Sequence, residues 1–202
     1  VIERPFPSGA ICLSLHTLSS IMRNTRRSIR FLFVAFGLTA GTASRAQDYY
    51  VSVSGDDASP GTLAQPWRHV QYALDQAGPF WTVHVMGGVY NEELTFVSGG
   101  TSAGPLTLRN YLSEVAVIDG TGLNADALVT IQDLSHIDMI GLEIRNNVHN
   151  DAIGILVNGL CQGIDLLGLN VHDIHFSSDP NAPVNDNTNA QPIIVYGSNA
   201  SS

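Results

Sequence analysis

The chain has 202 residues, a formal net charge of −9 at pH 7 and nine basic residues, all of them arginine. All but one of the 18 acidic residues follow Ala46, against only three arginines, Arg68, Arg109 and Arg145. So acidic a surface repels nucleic acid and anionic membranes, which we therefore do not expect as partners.

The N-terminal residues have the pattern of a secretory signal peptide. Met22 is the first methionine, arginines follow it closely, and the apolar run 31–43 is too short to span a bilayer. The alternative, a buried helix, is disfavoured because the run has no polar face. The sequence predicts an upstream extension at 1–21, a signal peptide at 22–46 cleaved after Ala46, and a secreted, extracellular, monomeric protein without membrane insertion.

The next part of the chain predicts an edge strand, a loop and a short helix. Residues 48–54 alternate weakly between apolar and polar, as an edge strand does, and 55–61 is rich in turn-forming residues. Apolar residues from Val70 to Ala77 then recur at helical spacing, and Gly78 follows where a helix would stop. We expect this helix to close the N-terminal end of the structure that follows.

Short runs in which apolar and polar residues alternate come next, separated by turns that contain Gly or Asn. These runs predict strands. These runs are 82–85, 94–96, 106–108, 115–118, 128–131 and 154–157. The clearest signal is the segment 137–144, whose pattern of alternating apolar residues with an internal Gly recurs 27 residues later at 164–171. Units that cannot bury their own apolar face indicate a solenoid, and alternation indicates strands.

The sequence therefore predicts an all-β fold, a parallel β-helix (solenoid) with a short N-terminal capping helix. The polar segment 177–191 is expected to be a loop extruded from a coil, where such loops often line a binding face. A solenoid needs a cap over its last coil, and none follows the apolar run 192–196. We therefore expect 47–202 to be the N-terminal part of a β-helix domain that is incomplete at its C-terminus.

Several N-terminal motifs resemble those of a known family. They are Tyr49–Asp57, Pro60–Thr62, Gln65–Trp67, Val70–Leu74, Val83–Tyr90 and Val117–Gly120. Together they resemble secreted bacterial right-handed parallel β-helix proteins of the pectate-lyase-like superfamily, and are most similar to family 9 polysaccharide lyases. The similarity covers about 49–175. It departs from the family at Pro79–Trp81, where an Asp-Thr pair is more usual.

This resemblance implies a polysaccharide ligand and a calcium-assisted lyase of the pectate type. Calcium would neutralise a uronate carboxylate, and a basic side chain would remove the adjacent proton for β-elimination. Family 9 enzymes use Lys as the base, and this chain has none, so the base lies beyond Ser202, is an arginine, or is absent. Two alternatives stay open, because a fold does not define a function: a glycoside hydrolase, or a non-catalytic carbohydrate-binding or adhesion protein.

Two outward-facing aspartates are the candidate calcium ligands. If Ile137 and Ile164 point inward, Asp138 and Asp165 point outward from adjacent coils, about 4.8 Å apart. Two exposed carboxylates at that distance repel by roughly 1 kcal/mol in water, and Ca²⁺ would relieve the repulsion. The alternative is that both are ordinary solvated acids.

A second set of outward positions follows each copy of the repeat. Glu143 and Asn170 are equivalent, as are Arg145 and His172, and we take Arg145 as a candidate catalytic residue and the other three as candidate substrate-binding residues. Arg145 beside Glu143 and Asp138 would form a clamp for a carboxylate. The alternative is a surface ion pair of small energy.

Overall fold

The computed structural model describes residues 46–185 and 188–197. The predicted extension (1–21) and signal peptide (22–46) lie outside the described residues, apart from Ala46. In chain order the elements are β1 (Gln47–Val51), α1 (Val70–Gln76), β2 (Trp81–Val85), β3 (Gly88–Tyr90), β4 (Leu94–Thr95), β5 (Leu106–Asn110), β6 (Ala116–Asp119), β7 (Ala127–Gln132), β8 (Ser135–Ile140), β9 (Glu143–Val148), β10 (Ala152–Asn158), β11 (Gln162–Leu167), β12 (Asn170–His175) and β13 (Ala190–Val195).

The strands form three parallel sheets. The first sheet has the order β1-β2-β5-β8-β11, the second β12-β9-β6-β3 and the third β13-β10-β7-β4. From β2 onward, successive strands visit the first, second and third sheets in turn, so each set of three makes one coil. This arrangement confirms the predicted right-handed parallel β-helix.

Alternation along the strands places the apolar side chains inside the coils. Ile137 and Met139 of β8 and Ile144 of β9 are completely buried, whereas Asp138 and Glu143 face outward. The two copies of the repeat are stacked in register, with Ile137 beside Ile164. The hydrophobic effect therefore explains the repeat, because each coil buries the apolar face of its neighbour.

The predicted helix is present and lies against the first coil. Helix α1 contacts β1, β2 and β4 and buries Val70, Ala73 and Leu74, as expected of a cap at the N-terminal end of the solenoid. The predicted loop 177–191 is slightly shorter than expected, because β13 begins at Ala190. Within the described residues, α1 is the only helix, and no helix is long and apolar enough to cross a bilayer.

Candidate functional site

The first sheet carries the predicted pair of aspartates on its outer surface. Asp138 of β8 is directly in register with Asp165 of β11, and Thr107 of β5 is in register with Asp138 on the other side. Asp138 is half-buried and Asp165 is exposed. The 27-residue repeat therefore placed the two aspartates in adjacent coils correctly, although their role remains a prediction.

The surroundings of Asp138 disfavour its ionised form. Burial raises the pKa of the Asp138 carboxyl, the charge of Asp165 raises it further, and a hydrogen bond with Thr107 opposes both effects. The two carboxylates lie in a shallow groove of about 220 Å³. The other residues lining it are Thr101, Ser102, Pro105, His136 and Gly163.

The pair fits calcium only in part. Ca²⁺ takes six to eight oxygen ligands, and two carboxylates supply at most four. No group of three or more His, Cys, Asp or Glu side chains within the described residues could hold a metal ion. An ion between Asp138 and Asp165 would therefore have to complete its shell with water or with oxygens of a bound ligand.

A second polar cluster lies on the outer surface of the second sheet and is centred on Arg145. The Nε of Arg145 donates a hydrogen bond to Asp119 Oδ2 and Nη1 donates one to Glu143 Oε1, both at 2.9 Å. Asp119 is the in-register neighbour of Arg145 in the preceding coil. The expected contact between Arg145 and Asp138 was wrong, because Asp138 belongs to the first sheet and Arg145 to the second.

Asp119 is the buried anchor of this cluster. Only 7% of its side chain is exposed, and its other oxygen, Oδ1, accepts a hydrogen bond from the backbone N–H of Thr121. Burial raises the pKa of the Asp119 carboxyl, but the donors around it, Thr121 first and then Arg145, outweigh burial and lower the pKa to about 2. The carboxylate is therefore ionised throughout the physiological range and keeps Arg145 in place.

His172 extends the cluster into the next coil. Its Nε2 lies 3.3 Å from Glu143 Oε1, and its Nδ1 lies 2.9 Å from Asp173 Oδ2. The hydrogen bond with Asp173 raises the pKa of His172, and the one with Glu143 adds to the increase against the opposing effect of desolvation. Asn170 is in register with Glu143 but is exposed, and its side chain forms no hydrogen bond within the described residues.

The geometry makes Arg145 a poor general base. An arginine stays protonated in the physiological range, and the hydrogen bonds with Asp119 and Glu143 raise the pKa of Arg145 further. The structure thus brings Arg145, Glu143 and His172 together and leaves Asn170 at the edge. Sequence reasoning missed the contact of Arg145 with Asp119, although the spacing of 26 residues between Val117–Asp119 and Glu143–Arg145 is close to the repeat length.

Fold and surface together define the class of protein: a parallel β-helix with polar rows on its outer faces. No protein-family model matches the chain. The chain is 33% identical over 161 residues to the uncharacterized protein YwoF of Bacillus subtilis, covering 75% of this chain and 34% of that protein. It is 34% identical over 116 residues to pectate lyase PEL9 of Emericella nidulans, covering 50% of this chain and 28% of the lyase.

A solved structure supports the same fold. The chain matches the lacto-N-biosidase of glycoside hydrolase family 136 from Eubacterium ramulus with a TM-score of 0.52 at 23% identity, covering 63% of this chain and 28% of the enzyme. The sequence similarity to pectate lyase PEL9, together with the parallel β-helix fold, confirms the resemblance to the pectate-lyase-like β-helix proteins. The chain spans about a third of the length of the curated relatives that it matches.

Proposed function

We propose that this chain is part of a secreted protein that acts on polysaccharide, and that it is a calcium-assisted lyase of the pectate type. The single observation that carries the proposal is the stacked pair Asp138 and Asp165 in an outward-facing groove of a β-helix. The sequence similarity to pectate lyase PEL9 supports it. The secreted location rests on the signal-like pattern of 22–46 together with this similarity.

In this proposal Asp138 and Asp165 coordinate the cation, and a neighbouring side chain orients Asp138. Calcium, when bound, would neutralise the carboxylate of a uronate and acidify the adjacent proton. Thr107 would orient Asp138 through the hydrogen bond between them. Arg145 is already engaged by two carboxylates, so we assign the proton-abstracting base to a residue outside the described part of the chain.

The test is an assay of the whole protein of which this chain is part, because the base is assigned outside the described residues. Polygalacturonate is the substrate, and the assay is run with calcium and with a calcium chelator. β-Elimination produces an unsaturated uronate, so we expect a rise in ultraviolet absorbance that requires calcium. The Asp138→Asn/Asp165→Asn double variant should lose this activity. Asp126→Asn is the matched control, because Asp126 is exposed and its carboxylate forms no hydrogen bond within the described residues. No rise in absorbance with calcium present contradicts the lyase proposal.

The same assay separates the alternatives. New reducing ends without the unsaturated product would indicate a hydrolase, for which a pair of carboxylates on adjacent coils is also suitable. Retention of the polymer in affinity electrophoresis, without either product, would indicate a non-catalytic binding protein. In both cases the polysaccharide would still be the ligand, but the lyase chemistry would be excluded.

A further inference from the structure

The side chain of one arginine on the first sheet has no partner among the residues that the structure describes. Arg109 faces outward from β5, in register between His84 of β2 and Ile140 of β8. Among the described residues its guanidinium forms no salt bridge or hydrogen bond, and its Nε is buried without a partner. The residue as a whole is only half-buried, so its outer nitrogens remain open to solvent.

This lack of a partner is unusual for a cation on such an acidic chain. Arg145 is bound by two carboxylates, and Arg68, whose guanidinium has no partner among the described residues, is exposed to water. Arg109 is instead partly desolvated, and a charged group whose donors are unsatisfied away from water carries a free-energy penalty. The outer nitrogens of Arg109 have no partner among the described residues, and a ligand carboxylate would pair with them, because its two oxygens match the planar fork of a guanidinium.

Aromatic rings lie beside Arg109. The rings of Tyr50 and His84 are stacked, with centroids 4.9 Å apart and an angle of 15° between their planes. The ring of Tyr111 makes edge-to-face contacts with both rings, and its centroid lies 5.6 Å from that of Tyr50 and 6.0 Å from that of His84. A hydrogen bond between His84 Nε2 and Asp48 Oδ1 (3.1 Å) fixes the orientation of the imidazole.

We propose that Tyr50, His84, Arg109 and Tyr111, the Arg109 patch, form a binding subsite for a sugar that carries a carboxylate. Arg109 binds the carboxylate, and the rings offer an apolar surface with polar edges to the pyranose ring. The patch lies on the first sheet, toward its N-terminal edge relative to Asp138. The inference rests on the proposed function in taking an acidic polysaccharide as the ligand, and deepens it by locating a place where one acidic residue of that polymer binds.

The experiment measures binding of trigalacturonate and of the neutral galactotriose to the full chain by calorimetry, in the presence of a calcium chelator. We expect Arg109→Gln to weaken binding of trigalacturonate at least tenfold and to leave binding of galactotriose within twofold. Arg109→Lys should weaken trigalacturonate binding by a smaller factor, because it keeps the charge and loses the fork. Tyr111→Ala should weaken the binding of both sugars.

Arg68→Gln is the matched control, because it removes the same charge from an exposed, unpaired arginine. The Arg68→Gln variant should bind trigalacturonate with an affinity within twofold of that of the unaltered protein. Equal losses in Arg68→Gln and Arg109→Gln would attribute the effect to total charge and overturn the subsite. Unchanged binding in Arg109→Gln, or no binding of trigalacturonate to the unaltered protein, would overturn it as well. Thermal melting of each variant checks that it is folded.

The chelator separates this proposal from the lyase proposal. If the protein shows no calcium-dependent elimination and Arg109-dependent binding persists, the lyase proposal fails and the subsite stands. If elimination occurs and Arg109→Gln has an unchanged KM and an unchanged affinity, the subsite fails and the lyase proposal stands.

Discussion

Two aspartates on the outer surface of the same solenoid have opposite electrostatic environments. Asp119 is nearly buried and surrounded by donors, so its pKa falls to about 2. Asp138 is half-buried beside another carboxylate, so its pKa is raised. The difference lies in the surroundings: Thr121 and then Arg145 donate hydrogen bonds to Asp119, whereas burial and then the charge of Asp165 act on Asp138. The first aspartate stabilises the fold, and the second is the one that our proposal assigns to a cation.

The low pKa of Asp119 predicts a loss of stability in acid. Its pKa is lower in the folded than in the unfolded chain, so its contribution is complete above about pH 4 and is lost as the pH falls toward 2. The difference from 3.8 to about 2 corresponds to about 2 kcal/mol. Asp119→Asn should lower the free energy of unfolding at pH 7 by about that amount and flatten its pH dependence below pH 4.

Urea denaturation from pH 2 to pH 7 measures this effect. Asp126→Asn is again the control and should change the free energy of unfolding by less than about 0.5 kcal/mol. A steep loss of stability between pH 4 and pH 2 that persists in Asp119→Asn would assign the acid sensitivity to other carboxylates.

The stacked aspartates predict a response to calcium. Asp165→Asn removes the charge that repels Asp138, so without calcium it should raise the melting temperature by a degree or two, equivalent to less than about 1 kcal/mol. Calcium should raise the melting temperature of the unaltered protein and of Asp126→Asn, but not that of Asp165→Asn. Differential scanning fluorimetry with a calcium titration measures both effects, and equal calcium responses in all three proteins would exclude the pair as a binding site.

At the scale of the element, regular spacing decided what the sequence could predict. The register of Asp138 with Asp165 follows from a 27-residue repeat whose apolar alternation leaves only one way to bury both copies. The contact of Asp119 with Arg145 was missed because the coils before residue 120 have loops of unequal length. The Arg109 patch was missed because its rings come from β1, β2 and the residue after β5, and no local pattern joins them.

The repeat also supplies a matched pair of turn glycines. Gly141 and Gly168 follow β8 and β11 at equivalent positions, with φ of +70° and +60°. Alanine in this left-handed backbone conformation costs roughly 1–2 kcal/mol at either position. At Gly141 the new methyl group would also overlap Asn110 Oδ1, whose amide donates to the backbone oxygen of Glu114, whereas at Gly168 nothing lies near.

We therefore expect Gly141→Ala to lower the free energy of unfolding by about 1–2 kcal/mol more than Gly168→Ala does, because Asn110 must give up its hydrogen bond. Urea denaturation of the two variants provides the comparison. Equal losses would mean that the backbone conformation alone determines the cost and that Asn110 moves aside freely.

At the scale of the whole molecule, stability comes from contacts between neighbouring coils. A solenoid has no central core that every element reaches, so its stability is nearly a sum over adjacent coils. Met139 is packed between Leu108 and Leu166, its in-register neighbours in the coils on either side, and is completely buried. Leu166, in the last described strand of the same sheet, is only half-buried.

Truncating these two equivalent side chains tests that view. Met139→Ala should lower the free energy of unfolding by about 2–5 kcal/mol, because it leaves a cavity between two coils. Leu166→Ala should cost less than half as much, since one side of Leu166 has no coil packed on it among the described residues. Both are measured by urea denaturation. Equal costs would mean that a further surface covers Leu166, and the stability of this β-helix would then depend on contacts beyond those between its described coils.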